Sequence, residues 1–322
     1  MIGGVAMILD ELLENGECII MDGAIGTEIA RLGGDMHTSA WCGLANKTHP
    51  DVVRQVHRAY LRAGAHVVTA NTFATCRHVL AGAGLADEAA SITARAVELA
   101  RQAVVEEACD RPVAVAGSMS NNYAWIPGTV SPDPRYFPTP EQQITDYREM
   151  ADAIASAGAD FIVLEMMSDV TNASLTAEAA VATGLPVWIG ISCVLQPGRG
   201  VTAWDAHTAH PAEELHPEHE PHATLSLEEV IEAMIQFEPQ VMGIMHSTVS
   251  ATGPGLDVLK RAWSGPIMAY PETNGVPFIE PGEFSTRCSA WVNEGVQIIG
   301  GCCGTTIEHI RTLTKDLNRQ AN

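Results

Sequence analysis

Eight short apolar runs predict an α/β chain folded as a closed (β/α)8 TIM barrel; each ends in small or polar residues, and helical patterns separate them. Three observations carry this prediction. The runs are continuous rather than alternating, as parallel strands covered on both faces are. Eight of them favour a ring over an open sheet. The 322 residues, 46% hydrophobic, suit a single barrel domain over 1–322 with a sizeable core.

In chain order, Glu17–Met21 opens into Asp22-Gly23-Ala24-Ile25-Gly26-Thr27, and Ala65–Ala70 into Asn71-Thr72-Phe73. Pro112–Ala116 leads to Gly117-Ser118-Met119, Asp160–Leu164 to Glu165, and Pro186–Ile191 to Ser192-Cys193. Gln240–Met245 leads to His246-Ser247, Pro266–Tyr270 to Pro271-Glu272, and Val296–Ile299 to the glycines before Cys302-Cys303. Helical patterns cover Asp51–Ala63, Asp87–Cys109, Pro140–Ala157, Asn172–Thr183, Leu227–Phe237 and Pro281–Asn293. A barrel gathers the residues that follow its strands on one face. Asp22, Asn71, Glu165, His246, Cys302 and Cys303 are thereby expected in one pocket. Two stretches, 120–141 and 196–225, exceed ordinary loop length and are expected to form walls or lids there.

The formal charge is −21, from 39 acids and 18 bases. No basic face is available for nucleic acid. The eight cysteines are scattered without secretory spacing, which points to a reducing, cytoplasmic setting. Met1–Leu9 lacks the basic start of a signal peptide, and no apolar run reaches membrane-spanning length. A homo-oligomer is left open.

Adjacent cysteines rarely bond to each other because the geometry is strained. Two thiolates at a strand end can instead share one soft metal ion, although two small residues packed under a helix would read the same.

Gly300-Gly301-Cys302-Cys303-Gly304-Thr305-Thr306, followed by Glu308-His309-Ile310, resembles the C-terminal signature of the homocysteine S-methyltransferase family. Met21–Glu28 resembles that family's first-strand motif. Trp41, Pro50 and Val56–Ala65 resemble its next block, and Asn71-Thr72-Phe73 and Ala157–Asp160 with Glu165 follow in the same order. The resemblance covers nearly the whole chain. It implies a (β/α)8 barrel that moves a methyl group from a small sulfonium or ammonium donor to a zinc-bound thiolate, homocysteine giving methionine. Zinc coordination deprotonates a thiol at neutral pH, and the thiolate is the nucleophile.

The family supplies three cysteines to zinc, the first in a Gly-Val-Asn-Cys phrase. Here the phrase is Gly243-Ile244-Met245-His246. The implied metal set, and with it the catalytic set, is His246, Cys302 and Cys303, with one position open for the acceptor sulfur. Imidazole in place of thiolate makes the site one unit less negative. The bound sulfur then ionises more readily but is a weaker nucleophile. Met245, in place of the polar neighbour, changes the surroundings of that ligand as well, so an acceptor other than homocysteine stays open.

By the same resemblance, Asp22 and Glu165 take the acceptor's ammonium. Gly23 and the amides near Gly117-Ser118 take its carboxylate, and Asn71 and Thr72 orient the pocket. A cationic donor calls for an aromatic wall, with Trp41, Tyr123 and Trp125 as candidates. Betaine-type enzymes carry tyrosine after the Thr-Phe step, where this chain has Ala74. No folate or cobalamin domain is evident, which favours a stand-alone sulfonium-using enzyme. His207, His210, His216, His219 and His222 alternate with Pro and Glu in what reads as a solvated lid pinned by Trp204. Two other classes compete: a lyase or hydrolase using Asp22 and Glu165 as acid and base, and a zinc- or thiol-binding protein without turnover.

Overall fold

The computed structural model describes residues 9, 11–13, 15–35, 38–129, 131–196, 198, 200–204, 225–274 and 278–320. The first strands are β1 (Ile19–Ile20), β2 (Val67–Ala70), β3 (Ala114–Ser120), β4 (Phe161–Met167) and β5 (Val187–Ile191). An antiparallel hairpin follows, β6 (Cys193–Gln196) and β7 (Gly200–Ala203). Then come β8 (Val241–Thr248), β9 (Ile267–Glu272) and β10 (Ile298–Ile299). Hairpin aside, these strands form one parallel eight-stranded sheet in the order β1-β10-β9-β8-β5-β4-β3-β2. A parallel bridge between Met21 and Val67 joins β1 back to β2, so the sheet closes into a barrel.

The helices are α1 (Ile25–Arg31), α2 (Ala45–Thr48), α3 (Pro50–Ala63), α4 (Arg77–Ala81), α5 (Ala89–Glu107) and α6 (Pro140–Ser156). After them come α7 (Val170–Val181), α8 (Leu227–Ile235), α9 (Val249–Ala262), α10 (Pro281–Asn293) and α11 (Ile307–Gln320). Local chemistry sets their ends. Thr139 with Gln142 opens α6, and Ser226 with Glu229 opens α8, each as a reciprocal capping box. Pro50 starts α3, and Gly64 ends it in the left-handed conformation at φ 110°.

Strand periodicity separates two apolar layers. Ile19, Val67, Ala114, Phe161, Val241, Met268 and Ile298 fill the barrel interior. Ile20, Val68, Val115, Ile162, Ile244 and Ile299 face the helices. The Trp188 ring packs on that of Phe161 on the neighbouring strand, centroids 4.1 Å apart, and its indole donates to Gln240. Fully burying each such large side chain contributes about 1.5–3 kcal/mol.

All six helices expected from the sequence are present, with ends within two residues of the expected ones. β3, β4 and β8 run three or four residues further than expected, so Glu165 and His246 lie inside strands, not after them. The β6–β7 hairpin and α4 replace expected loop. The 120–141 stretch is held by a Trp125–Pro132 bridge and an Arg135–Asp133 ion pair. The five histidines of the 205–222 segment lie outside the described residues. Among the described residues no helix is long and apolar enough to cross a membrane.

Candidate active site

Phe161 and Val163 of β4 face the interior, so Glu165 continues on that side. Met268 and Tyr270 of β9 lead in the same way to Glu272, and Ile298 of β10 leads to Cys302. His246 breaks this parity. Met245 already faces inward, so a regular strand would turn His246 outward. The β8–β9 register shifts between Met245 and Thr248, and His246 takes φ 45°. That bulge turns the imidazole back into the barrel mouth. A second shift, between Leu164 and Met167, puts Met166 at φ 61° beside Glu165. A left-handed backbone costs a non-glycine residue about 1–2 kcal/mol, and here it lies beside the candidate chemistry.

The cysteines are set by backbone contacts. Cys302 N donates to Pro271 O at 2.8 Å, Thr273 N donates to Cys303 O at 2.9 Å, and Gly304 turns the chain at φ 79°. A Cβ at Gly300 would meet the Tyr270 ring at 2.6 Å.

His246 Nδ1 lies 3.3 Å from Cys302 Sγ and 3.5 Å from Cys303 Sγ, and the sulfurs are 3.9 Å apart. Cys302 donates to Cys303, which together with the His246 charge and against the cost of burial holds the Cys303 thiol well below its ordinary value. Donating that hydrogen bond, and burial, push Cys302 well above. Burial lowers His246, but the facing Cys303 thiolate outweighs it and raises the imidazole to about 9. Trp204 stacks on His246 with centroids 5.1 Å apart and planes 4° from parallel. Glu272 Oε2 lies 3.8 Å from Nδ1.

These donors fit a zinc ion. With Zn–S of about 2.3 Å and Zn–N of about 2.0–2.1 Å, tetrahedral ligands lie about 3.8 Å (S···S) and about 3.6 Å (N···S) apart. The three observed edges match one face of that tetrahedron, and the fourth corner belongs to no atom of the triad.

Asp22 is fully buried. Its Oδ2 accepts from Thr69 N at 2.6 Å, and its Oδ1 accepts from Thr69 Oγ1 at 2.9 Å and Tyr270 OH at 3.1 Å. It therefore ties β1 to β2 and β9, and burial raises it to about 7 despite those donors. Burial also raises Glu165 to about 7, and the Asp22 and Cys303 charges add to the rise. Gly23 lets Tyr60 OH come within 2.8 Å of where its Cβ would stand.

The structure places other expected binding groups differently. Asn71 donates to Cys42 O and Asn46 Oδ1 and accepts from Cys42 Sγ. Thr72 Oγ1 donates to Ser118 O at 2.6 Å and accepts from Ser118 N at 2.8 Å. Both side chains, and the Ser118 amide, are spent on the framework. Trp41, itself at φ 44°, packs with ring centroids 5.5 Å from Phe73 and 5.9 Å from Trp125, so these three form one aromatic cluster. Cys42, next to Trp41, feels the charge of both Cys303 and Glu165. Tyr123 packs instead on Phe137 at 4.7 Å and on His78 at 6.1 Å. At the start of α11, Ile307 N donates to Glu28 Oε1, and Thr306 N donates to His309 Nδ1.

A second cluster, Cys76, His78 and Asp146, is fully buried. His78 Nδ1 lies 3.0 Å from Asp146 Oδ2 and 3.4 Å from Cys76 Sγ, and Nε2 lies 3.1 Å from Asn122 O. Both ring nitrogens face acceptors, as an imidazolium requires.

Sequence reading missed Tyr270, Thr69 and Glu272. The first two sit inside apolar runs and read as core. Only the two-residue step from Met268 through Tyr270 to Glu272 signals that they share a face.

The sequence model described as homocysteine S-methyltransferase matches residues 19–317. Homocysteine S-methyltransferase 4 of Zea mays is 25% identical over 94% of this chain and 90% of its own length. Betaine–homocysteine S-methyltransferase 1 of Bos taurus is 28% identical over 95% of this chain and 74% of its own length. The metallated crystal structure of the homocysteine methyltransferase MmuM from Escherichia coli superimposes with a TM-score of 0.74 at 22% identity, covering 96% of this chain and 99% of that one.

Proposed function

The chain belongs to the homocysteine S-methyltransferase family, and from that premise we propose that it transfers a methyl group from a small sulfonium or ammonium donor to the thiolate of homocysteine, at a zinc ion held by His246, Cys302 and Cys303. The observation that carries this reading is the donor triangle, whose three edges have tetrahedral lengths. When bound, zinc supplies a thiolate at neutral pH.

The chain's own residues do the rest. Glu165 neutralises the acceptor's ammonium, and Asp22, whose charge reaches Glu165, adds to the negative field there. Trp41, Phe73 and Trp125 present ring faces to a cationic donor. A bond forms from the acceptor sulfur to the methyl carbon, and the methyl bond to the donor's sulfur or nitrogen breaks. That bond's electron pair stays on the donor, which leaves as a neutral sulfide or amine. Anion and cation become neutral products, and the water-poor site favours this loss of charge.

Zinc-loaded protein incubated with homocysteine and a panel of sulfonium and betaine donors should yield methionine, read by mass spectrometry. No methylated thiol from any donor would reject the proposal. Glu165→Gln should raise the homocysteine KM by about 10–100-fold, the worth of a charged hydrogen bond, with a smaller change in kcat. An equal fall in kcat and kcat/KM would remove Glu165 from ammonium binding.

A further inference from the structure

A cysteine needs one torsion set to aim its sulfur, whereas an imidazole needs two and must present its edge to the ion. The bulge delivers His246 to the barrel mouth at φ 45° but leaves its ring plane to neighbouring contacts. One face of that ring lies against Trp204, 4° from parallel. Trp204 is itself fixed from behind. Its backbone N donates to Ser192 O at 3.0 Å. The residue before it, Ala203, is buried and pairs with Cys193, and Thr202 bridges to Ser226. The hairpin after β5 thus holds an indole flat over a ligand carried by β8.

We propose that Trp204 is a positioning residue for metal binding: its stacking fixes the His246 ring so that Nδ1 stays aimed at Cys302 and Cys303. This rests on the metal reading of the triad. The stack suits a metal-bound imidazole, whose electron-poor ring is attracted to the indole face. It also keeps water off that face of the ligand.

The test compares the full-length chain with Trp204→Ala and Trp204→Phe. Zinc affinity is measured by chelator competition, and ligand geometry by the visible spectrum of the cobalt(II)-loaded protein. Trp204→Ala is expected to weaken zinc binding about tenfold, the low end for groups that orient a ligand, and to shift the cobalt bands. Trp204→Phe, which keeps a ring to stack, is expected to restore most of both. Should Trp204→Ala not fold, Trp204→Leu takes its place. Wild-type affinity and spectrum in Trp204→Ala would overturn the inference, and so would an equal loss in Trp204→Phe. A wild-type chain that takes up no zinc overturns the metal reading and this inference with it. Zinc binding by the wild type with no effect of Trp204→Ala overturns this inference alone.

Discussion

Cys303→Ala is expected to reduce bound zinc to less than about one tenth of an equivalent per chain and kcat/KM for methyl transfer by at least about 10³-fold. Removing this sulfur leaves His246 and Cys302 as the two remaining donors of the triad. Two donors hold zinc far less tightly than three. Cys303 is also the sulfur of the triad whose thiol Cys302 and His246 hold well below its ordinary value. Cys109→Ser, beyond the end of α5, serves as the control and should leave both measurements unchanged. His246→Cys makes the opposite change. It restores three sulfurs and should keep the metal, with the site one unit more negative and the acceptor thiol harder to ionise. Inductively coupled plasma mass spectrometry of dialysed protein gives the zinc content. Full zinc occupancy in Cys303→Ala would remove Cys303 from the metal site.

The barrel was legible because parallel strands covered on both faces leave continuous apolar runs, and those runs are local. The Cys302–Cys303 phrase was legible for the same reason. The conformation of His246 was not. A bulge is a mismatch between two strands, here β8 and β9, and neither strand's sequence contains it alone. The residue type named the candidate ligand, but only the pairing register explains how an outward-parity residue reaches an inward site. Asn71 and Thr72 were expected to orient the pocket; the partners their side chains take, Cys42, Asn46 and Ser118, are distant in sequence and were not legible. Tyr123 and Trp125, two residues apart, were both candidates for one wall, with core or lid as the alternative for either. Trp125 packs on Trp41 and Tyr123 on Phe137.

The site keeps three unusual backbone conformations, at Trp41, Met166 and His246, within a barrel whose core is otherwise regular. At His246 the bulge places a side chain where strand parity alone would not. The cost falls on elements well able to bear it. β4 and β8 are among the longest strands in the sheet and are paired on both sides. The chemistry is therefore built from local departures supported by regular neighbours.

His78→Ala is expected to cost about 3–5 kcal/mol of folding stability at pH 6, the range for breaking a buried ion pair by removing one partner. Burial disfavours the charge on His78, but the Cys76 sulfur and the Asp146 carboxylate outweigh it and raise the imidazole to about 10. An unfolded histidine titrates near about 6.5. Between those values folding takes up a proton, so stability from His78 is complete below the unfolded value and is lost as pH rises toward the folded one. The difference between wild type and His78→Ala should therefore be largest at pH 6 and shrink steadily toward pH 10. Urea unfolding followed by circular dichroism across that range measures it. A difference independent of pH would show that His78 is neutral in the folded chain, and that the cluster under α4 is held by neutral hydrogen bonds instead of charge.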